Sequence, residues 1–584
     1  MQMDYVFDAA KNQVLSVVAE AVRVAGYEFD SGQALRLEVP KTLEYDAASP
    51  VAFGLGRKAK KSPSEVAAAL FQSVKTILEE RMPEYIESAQ AVNGYLNFNF
   101  SQKFFSDAAM QAVEAAGAYG DFDDNAGKTA IVEYSSPNVG KPMHIGHIRS
   151  TILGDAIANL EAASGYKTVR MNYLCEAGAQ VAGILLALEQ FGTEKISNEK
   201  DLLGYYVEIT KKIEADPALK QKEQETIVLM ESGDKTTVER LLKVRKLTIE
   251  PFEANYKRLG INFDEPVFDS DYVESGKELV AEAVEKNLAF KDEKGETVAK
   301  LEDKPGKLSN LIILRSNGTT LYSTRDLGFA QWRWEKYQFD RSVIVTASEQ
   351  NTHFRQVFKL LELMGRKYAP RLFHIGFGLI FLEGGIKLSS RKGNVLFLED
   401  VLDEAVEHAK GQIKRTGEYS EEEIARISET VGIGAVKFAI LRVSAEKNIS
   451  FSLEKSVSFE GDTGAYLQYT VVRAKNILKK AERKQGNAAI SDEAEFAGPE
   501  RELARMIALY PDTVRSAEGV MQPHQICDYA LKLASAFSTF YAACPVLEAE
   551  SEGKKGLRLA LVEATANTLE NALGILGIKV PEKM

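Results

Sequence analysis

The sequence is poor in cysteine and contains no long hydrophobic run. Its three cysteines, Cys175, Cys527 and Cys544, are scattered along 584 residues, and no two of them form a Cys-x-x-Cys pair. This distribution supports neither a disulfide framework nor a zinc knuckle, so we expect no structural metal. No run of about 18 apolar residues occurs, and the acidic N-terminal segment does not resemble a secretion signal. We therefore expect a cytoplasmic protein without membrane contact.

The chain also lacks an excess of positive charge. Its net charge is −12, which excludes a protein that binds nucleic acid through its whole surface but permits local basic patches. The composition, 45% hydrophobic and 27% charged, is typical of a soluble globular protein. A length of 584 residues is too great for one core and predicts about three or four domains.

Histidine is scarce as well, yet two of the six histidines, His144 and His147, lie three positions apart. The apolar run Thr129–Val132 predicts a buried strand, and a segment rich in turn residues follows it. The spacing of apolar residues from Ile145 onward predicts a helix that begins near His144. Such a helix start is a site for phosphate, and Gly146 would let a nucleotide approach the backbone. The alternative is a pair of ordinary helix-surface histidines.

These residues carry a family resemblance. His144-Ile145-Gly146-His147 matches the "HIGH" signature of class I aminoacyl-tRNA synthetases, and Ser135-Ser136-Pro137-Asn138, with Lys141 and Met143, resembles the arginyl-tRNA synthetase version of the residues before it. The resemblance extends over nearly the whole chain. It implies a multidomain α/β protein: a Rossmann-like parallel-sheet catalytic domain, an N-terminal α/β added domain and a C-terminal all-α helical domain.

The resemblance also implies domain bounds. We expect an added domain at residues 1–124 that contacts the tRNA elbow at its D-loop, and a catalytic domain at 125–460. Within the catalytic domain, we expect a helical insertion at about 181–263 and a region at about 400–460 that contacts the tRNA stem. A helical anticodon-binding domain would follow at 461–584.

A second signature is incomplete. The segment from Lys387 to Gly393 follows Gly384-Gly385, and on composition alone it is a basic surface loop. It resembles the Lys-Met-Ser-Lys-Ser signature of the class, with Lys387 retained and Leu388 in place of methionine. The second lysine is absent, and which of Ser390, Arg391 and Lys392 replaces it remains open.

The activity implied by the resemblance is that of a ligase that joins L-arginine to tRNA(Arg) through an arginyl-adenylate, with Mg²⁺-bound ATP as a substrate. His144, His147 and Lys387 would be the catalytic residues. The ATP site would contain Lys141, His144, Gly146, His147, Lys387 and Ser389. We expect the protein to act as a monomer.

The resemblance places six residues in the arginine pocket: Glu133, Ser135, Asn138, Tyr322, Asp326 and Gln350. A guanidinium group needs a planar carboxylate partner, which Asp326 can supply. The alternatives for Asp326 are a helix N-cap and a salt bridge to Arg325. An Asn-Gly turn at residues 316–318, flanked by apolar runs, predicts a hairpin that leads into the helix of Tyr322 and Asp326.

One position departs from the family pattern. The segment from Asn172 to Gln180 resembles the second strand of the family's sheet and the turn after it. The family more often has aspartate where this chain has Glu176. The role of Glu176 is therefore open.

Two segments are candidates for tRNA contact. Residues 92–100 alternate between apolar and polar and predict one strand, and residues 466–485 carry a local charge of +5, with six basic residues and one acidic. By the resemblance, tRNA contacts fall on Asn93, Tyr95, Asn97, Tyr466, Arg473, Lys475 and Lys479. The alternatives are a solvent-facing strand and a solvated helix face.

Two rival functions remain at this point. Another class I synthetase, such as a glutamyl or cysteinyl enzyme, would share both signatures, but Ser135–Asn138 and the Tyr322-x-x-x-Asp326 spacing favour arginine. A tRNA-binding paralogue without catalysis is the second rival. The intact His144–His147 signature argues against it.

Overall fold

The computed structural model describes residues 4–28, 35–40, 44–192, 196–382, 386–387, 396–414, 419–482, 490–491 and 493–584. The first part of the chain folds into four helices and a small sheet within these ranges. They are α1 Val6–Val24, β1 Ala47–Ser49, α2 Val51–Ala59, α3 Pro63–Arg81, β2 Ile86–Val92, β3 Tyr95–Phe100 and α4 Gln102–Ala115. The sheet order is β1-β3-β2, with antiparallel pairs.

The single strand predicted for residues 92–100 is wrong. Strand β2 ends at Val92, and Asn93 and Gly94 form a tight turn with φ angles of 51° and 83° before β3 begins. Asn-Gly readily takes two successive positive φ angles, which a two-residue hairpin needs. Because apolar and polar residues alternate without a break across this turn, the sequence pattern did not indicate it. Asn97 lies on β3, the central strand of this sheet, and is buried at 7% exposure instead of lying on a polar outer face.

A parallel sheet forms the centre of the molecule. Its strands are β4 Thr129–Glu133, β5 Lys167–Leu174, β6 Glu265–Phe268, β10 Arg341–Ala347 and β11 Leu372–Phe377, in the order β11-β10-β4-β5-β6. Helix α5, Ile145–Ala163, connects β4 to β5. The predicted strand, turn and helix are therefore confirmed, and β4 is the middle strand. The carboxyl end of β4 faces the start of α5, where ligands bind in sheets of this kind.

Helices α6 to α9 lie between β5 and β6. Their bounds are Ala179–Phe191, Glu199–Ala215, Pro217–Glu231 and Lys235–Leu259. Helix α9 returns to the sheet: the Tyr256 hydroxyl lies 2.8 Å from the Ser135 hydroxyl and accepts a hydrogen bond from the Asn172 amide. This insertion therefore packs directly on the turn that follows β4.

A second small sheet follows helix α10, Val273–Glu285. Its strands β7 Ala289–Lys291, β8 Thr297–Ala299 and β9 Leu311–Leu314 are antiparallel, and β9 pairs with β8. The hairpin predicted across residues 316–318 is wrong, although its turn forms, with Gly318 at φ 78°. Beyond the turn, side chains hold the backbone instead of a strand partner, because the Glu231 carboxylate accepts hydrogen bonds from the Thr320 amide and hydroxyl. Helix α11, Tyr322–Tyr337, then begins as predicted.

The remaining elements surround the sheet and form the C-terminal helices. They are α12 Asn351–Leu363, β12 Ile380–Leu382, β13 Ile386–Lys387, α13 Leu398–Ile413, α14 Glu421–Leu441, β14 Ile449–Phe451, α15 Leu453–Ser456, α16 Gly464–Lys480, α17 Pro499–Ala508, α18 Tyr510–Gly519, α19 His524–Ala543 and α20 Glu552–Ile575. Among the described residues, no helix is both long and apolar enough to cross a membrane.

The two ends of the chain pack together. Arg501 of α17 forms an ion pair with buried Asp46, at 2.7 Å, and the Asn567 amide of α20 donates to the Ala112 carbonyl of α4. Tyr119 and Tyr510 also stack at a tilt, with 5.9 Å between ring centroids. The N-terminal elements therefore share one core with the C-terminal helices.

Close packing sets the position of α5 against the sheet. A Cβ atom placed on Gly154 of α5 would lie 2.1 Å from the Cβ of Tyr134, the residue that follows β4. We expect Gly154→Ala to destabilise the fold by about 1–3 kcal/mol through overpacking. The midpoint of urea unfolding and amide hydrogen exchange in α5 measure this loss.

The matched control is Gly204→Ala in α7, where a Cβ meets no atom within 4 Å. In that exposed helix the substitution should stabilise by about 0.5–1 kcal/mol. A Gly154→Ala variant as stable as the control would show that α5 is not tightly held against β4.

Candidate active site

Two imidazoles cap the first turn of α5. His144 is the N-cap residue, and its Nδ1 accepts the backbone N–H of Gly146 at 3.0 Å. Nδ1 of His147, in turn, accepts the backbone N–H of His144 at 3.1 Å. Since each Nδ1 accepts a hydrogen bond, neither carries a proton, and the proton of each neutral ring lies on Nε2. The caps therefore leave one N–H donor on each imidazole for a ligand.

The local electrostatics keep both rings neutral. Burial, aided by the charge of Lys141, lowers the pKa of His144 to about 4. Burial also lowers the pKa of His147 well below its usual value, and His144 and Lys141 add to the effect. The ring centroids are 4.0 Å apart. At neutral pH the pair thus offers two neutral donors at the positive dipole end of the helix.

Gly146 is required by the cap itself. A Cβ at this exposed position would lie 2.7 Å from Cε1 of His144. Any larger residue would push the His144 ring away from the Gly146 amide that it caps. The sequence analysis assigned Gly146 only to the approach of a nucleotide, and the structure adds this second reason.

Of the other predicted ATP residues, the structure describes Lys141 and Lys387 but not Ser389. The Lys141 ammonium lies 3.9 Å from the ring centroid of Tyr206 on α7, a cation–π contact with the insertion. Lys387 belongs to β13, where it pairs with Phe381 of β12. Ser389 and the three candidates for the second signature cation, residues 390–392, lie outside the described residues.

Arg149 ties the signature helix to the segments that follow the sheet. Its side chain is 1% exposed, and its guanidinium donates to the carbonyls of Gly378, Ser444 and Ala445. A buried arginine needs such partners, and three carbonyls satisfy its fork of donors. The second turn of α5 is therefore fixed to the strand region that contains β12.

The two carboxylates predicted for the arginine pocket lie together. Glu133, at the end of β4, and Asp326, in the second turn of α11, line a common cavity of about 10 Å³ with Arg333. Glu133 forms a buried ion pair with Arg333 at 2.6 Å, and Oδ2 of Asp326 lies 2.6 Å from Nε2 of His353. Burial raises the pKa of Glu133 to about 7, against the lowering effect of Arg333.

The structure rejects both alternatives for Asp326. The N-cap of α11 is Leu321, and Arg325 instead pairs with Asp269 at 3.0 Å. Oδ2 of Asp326 lies against His353, and the residue lines the small cavity that Glu133 also lines. His353 and Arg333 could not be identified from sequence, because the packing of α11 and α12 on the sheet brings these side chains to the carboxylates.

The other four predicted arginine residues differ in exposure. Tyr322, at 54% exposure, and Gln350 are exposed at the first turns of α11 and α12. Asn138 is half-buried and forms a β-bridge with Cys175. Ser135 is buried, with φ 70°, and its hydroxyl accepts from Thr151 and contacts Tyr256. Through these hydroxyl contacts, Ser135 connects the turn after β4 to α5 and α9.

Glu176 has a structural partner. Its buried carboxylate receives two hydrogen bonds from Arg245 of α9 and one from the Ser270 hydroxyl. The Arg245 guanidinium also stacks on Phe268, 3.6 Å from the ring centroid. The longer glutamate side chain thus links the second strand of the sheet to the insertion.

The predicted tRNA contacts fall on two separate surfaces. Near the N-terminus, Asn93 lies in the β2–β3 turn and Tyr95 packs edge-on against Phe53. On α16, three of the four predicted residues contact other side chains of the protein. Tyr466 contacts the Ser538 hydroxyl, Arg473 stacks on Tyr541, Lys475 pairs with Glu570, and Lys479 is exposed.

Three family models match the chain. Residues 10–100 match the arginyl tRNA synthetase N terminal domain, residues 110–453 match the catalytic domain of class I tRNA synthetases (R), and residues 467–584 match the DALR anticodon binding domain.

Curated relatives and solved structures agree with these models. The chain is 35% identical to the arginine–tRNA ligase of Clostridioides difficile, over 94% of this chain and 95% of the relative. It is 34% identical to that of Ligilactobacillus salivarius over 100% of both. The Thermus thermophilus arginyl-tRNA synthetase superposes with a TM-score of 0.80 at 25% identity, covering 98% of this chain and 100% of that one. This chain therefore belongs to the arginyl-tRNA synthetase family of class I aminoacyl-tRNA synthetases, and it is an arginine–tRNA ligase.

Proposed function

We propose that arginyl-adenylate forms at the start of α5, with the ATP phosphates bound by Nε2–H of His144 and His147. The observation that supports this most is the pair of caps, which leaves the proton of each neutral ring on Nε2. In the reaction, a carboxylate oxygen of arginine attacks the α-phosphate, and the bond to pyrophosphate breaks. Negative charge grows on the phosphate oxygens, where preorganised donors stabilise it.

The remaining ATP contacts belong to the same proposal. Lys141 lies close enough to affect the pKa of both histidines, so its charge also reaches the phosphates. Lys387 and Ser389 would follow the pyrophosphate as it leaves. ATP would arrive with its Mg²⁺, since the phosphates carry more negative charge than two neutral imidazoles can balance.

For the amino acid, we propose that Asp326 accepts the guanidinium and that Glu133 is a second carboxylate of the pocket. The two carboxylates line one small cavity of about 10 Å³, which holds about one water molecule, so this cavity would have to widen to admit the guanidinium. Exposed Tyr322 and Gln350 would contact the substrate at the rim of the pocket, while Ser135 and Asn138 would shape its inner edge. The pocket thus combines fixed negative charge with polar groups that match the planar fork of arginine.

For tRNA, we propose that the added domain, residues 1–124, contacts the elbow through Asn93, Tyr95 and Asn97. The anticodon-binding domain, residues 461–584, would bind through Tyr466, Arg473, Lys475 and Lys479. The catalytic domain would span 125–460, with the stem bound at about 400–460. We further propose that the protein acts as a monomer in the cytoplasm.

The direct test is ATP–pyrophosphate exchange with each of the twenty amino acids, with and without total tRNA. We expect exchange that is specific for arginine and that needs tRNA, because the binding energy of tRNA can shift the site toward a competent arrangement. Exchange with another amino acid would contradict the arginine pocket. Absence of exchange with any amino acid and tRNA would contradict the assignment of the adenylate site.

Two substitutions of His144 distinguish its role as a phosphate donor from its role as a helix cap. His144→Asn keeps an acceptor for the Gly146 amide but removes the Nε2 donor, whereas His144→Ala removes both. We expect either variant to slow pyrophosphate exchange by about 10²–10³. Only the alanine variant should also lose about 1 kcal/mol of stability, measured by urea unfolding. If His144→Asn exchanged at the wild-type rate, the proposed phosphate contact would be wrong.

The basic end of α16 can be tested through salt dependence. Lys479 and Lys480 are exposed in the last turn of the helix. Replacing both with glutamine should weaken tRNA binding and reduce the log–log salt slope by about 1–2 units, since each lost phosphate contact removes about 0.7–0.9. The matched control replaces exposed Lys291 and Lys294 near β7. An equal effect of the control pair would mean that α16 is a solvated helix.

A further inference from the structure

His353 stands between the proposed arginine partner and the solvent. It is the third residue of α12, and its Nε2 lies 2.6 Å from Oδ2 of Asp326 on α11. Its side chain is 25% exposed, whereas that of Asp326 is 13% exposed. One carboxylate oxygen of Asp326 is therefore occupied by the imidazole, and the other is left for a substrate.

The charges around this pair nearly balance before arginine binds. Glu133 is neutralised by Arg333 at 2.6 Å, and Asp326 is neutralised when His353 is protonated. His374 on β11 is the other titratable group that interacts with His353, and its Nε2 lies 2.7 Å from the Thr346 hydroxyl. Burial, together with His353, lowers the pKa of His374 to about 4, so this ring is neutral.

An arginine substrate changes this balance. Its guanidinium stays protonated at all relevant pH values, so binding at Asp326 brings a full positive charge next to the imidazole. Two cations that share one carboxylate repel each other in a partly buried site. A neutral imidazole avoids the repulsion and still donates its Nε2–H to Asp326.

We propose that His353 is a positioning residue that holds Asp326 for the substrate guanidinium and releases one proton when arginine binds. The proton leaves Nδ1 for solvent, while Nε2–H remains on Oδ2 of Asp326. The inference rests on the proposed role of Asp326 in the arginine pocket. It adds a group that sets arginine affinity as a function of pH.

The sign of the effect follows from the two states of the protein. Although burial lowers the pKa of His353, the hydrogen bond and charge of Asp326 outweigh it and raise this pKa above its usual value. The bound guanidinium lowers the pKa again. Between the bound and free values, arginine affinity rises with pH by up to about tenfold per unit, and it is constant on either side.

The test is calorimetric titration of the full chain with arginine, with and without tRNA, between pH 6 and 8. Running it in phosphate and in Tris, whose ionisation enthalpies differ, measures the protons released. We expect wild-type protein to release a fraction of a proton near pH 7 and to bind more tightly as pH rises. His353→Gln keeps a donor for Asp326 but does not titrate, so its affinity should be independent of pH with no proton release.

Further variants separate positioning from titration. His353→Leu removes the donor and should bind arginine more weakly than His353→Gln at every pH, since neither variant titrates and only glutamine donates to Asp326. His374→Gln is the matched control and should keep the wild-type pH dependence. Glu133, with a pKa of about 7, is the competing proton source. Proton release that persists in His353→Gln would assign the proton to Glu133 and overturn the inference.

Asp326→Ala distinguishes failure of the proposed arginine pocket from failure of the proposed role of His353. It should weaken arginine binding by about 100- to 1000-fold, because the guanidinium loses its carboxylate. If it bound arginine as tightly as the wild type, the proposed pocket itself would be wrong. If Asp326→Ala lost affinity for arginine while His353→Gln kept the wild-type pH dependence, the pocket assignment would stand and the proposed role of His353 would be wrong.

Discussion

The site depends on the backbone N–H groups at the start of α5, each of which is an orphan donor that needs an acceptor. Here Nδ1 of His144 accepts the Gly146 amide and Nδ1 of His147 accepts the His144 amide, while the carbonyls of Leu396 and His144 accept the Ile145 and His147 amides. The two imidazole hydrogen bonds therefore cap the helix and leave the proton of each neutral ring on Nε2. The glycine between the rings follows from the same geometry, since a side chain there would collide with His144.

Such a site is useful only if the helix stays in place, and the surrounding packing holds it. Arg149, in the second turn of α5, donates hydrogen bonds to three carbonyls, and Gly154 allows α5 to pack closely against Tyr134. Further along, Asp155 faces Lys437 of α14 at 3.9 Å, and Lys437 donates to the Gly577 carbonyl at the end of the chain. The catalytic sheet, α14 and the C-terminal residues thus meet on one helix. Because interiors are close-packed, we expect a disturbance at any of these contacts to reach the start of α5.

The sequence predicted the parts of this account that rest on local pattern. Periodicity located β4 and α5, and the signature located His144 and His147. Predictions failed where a side chain took over the role of a backbone partner, as Glu231 does at Thr320, or where alternation ran through a turn, as at Asn93. Arg333 and His353 were missed because each is an ordinary helix residue in sequence. The packing of α11 and α12 on the sheet brings Arg333 to Glu133 and His353 to Asp326.

The central claim is that both signature histidines are neutral and carry their protons on Nε2. The most direct measurement is ¹⁵N NMR of histidine-labelled protein between pH 6 and 8, with His144→Asn and His147→Asn to assign the two signals among the six histidines. The account predicts two rings with a protonated Nε2 and an unprotonated Nδ1 throughout this range. A signal from either residue with the proton on Nδ1, or with both nitrogens protonated above pH 6, would contradict it.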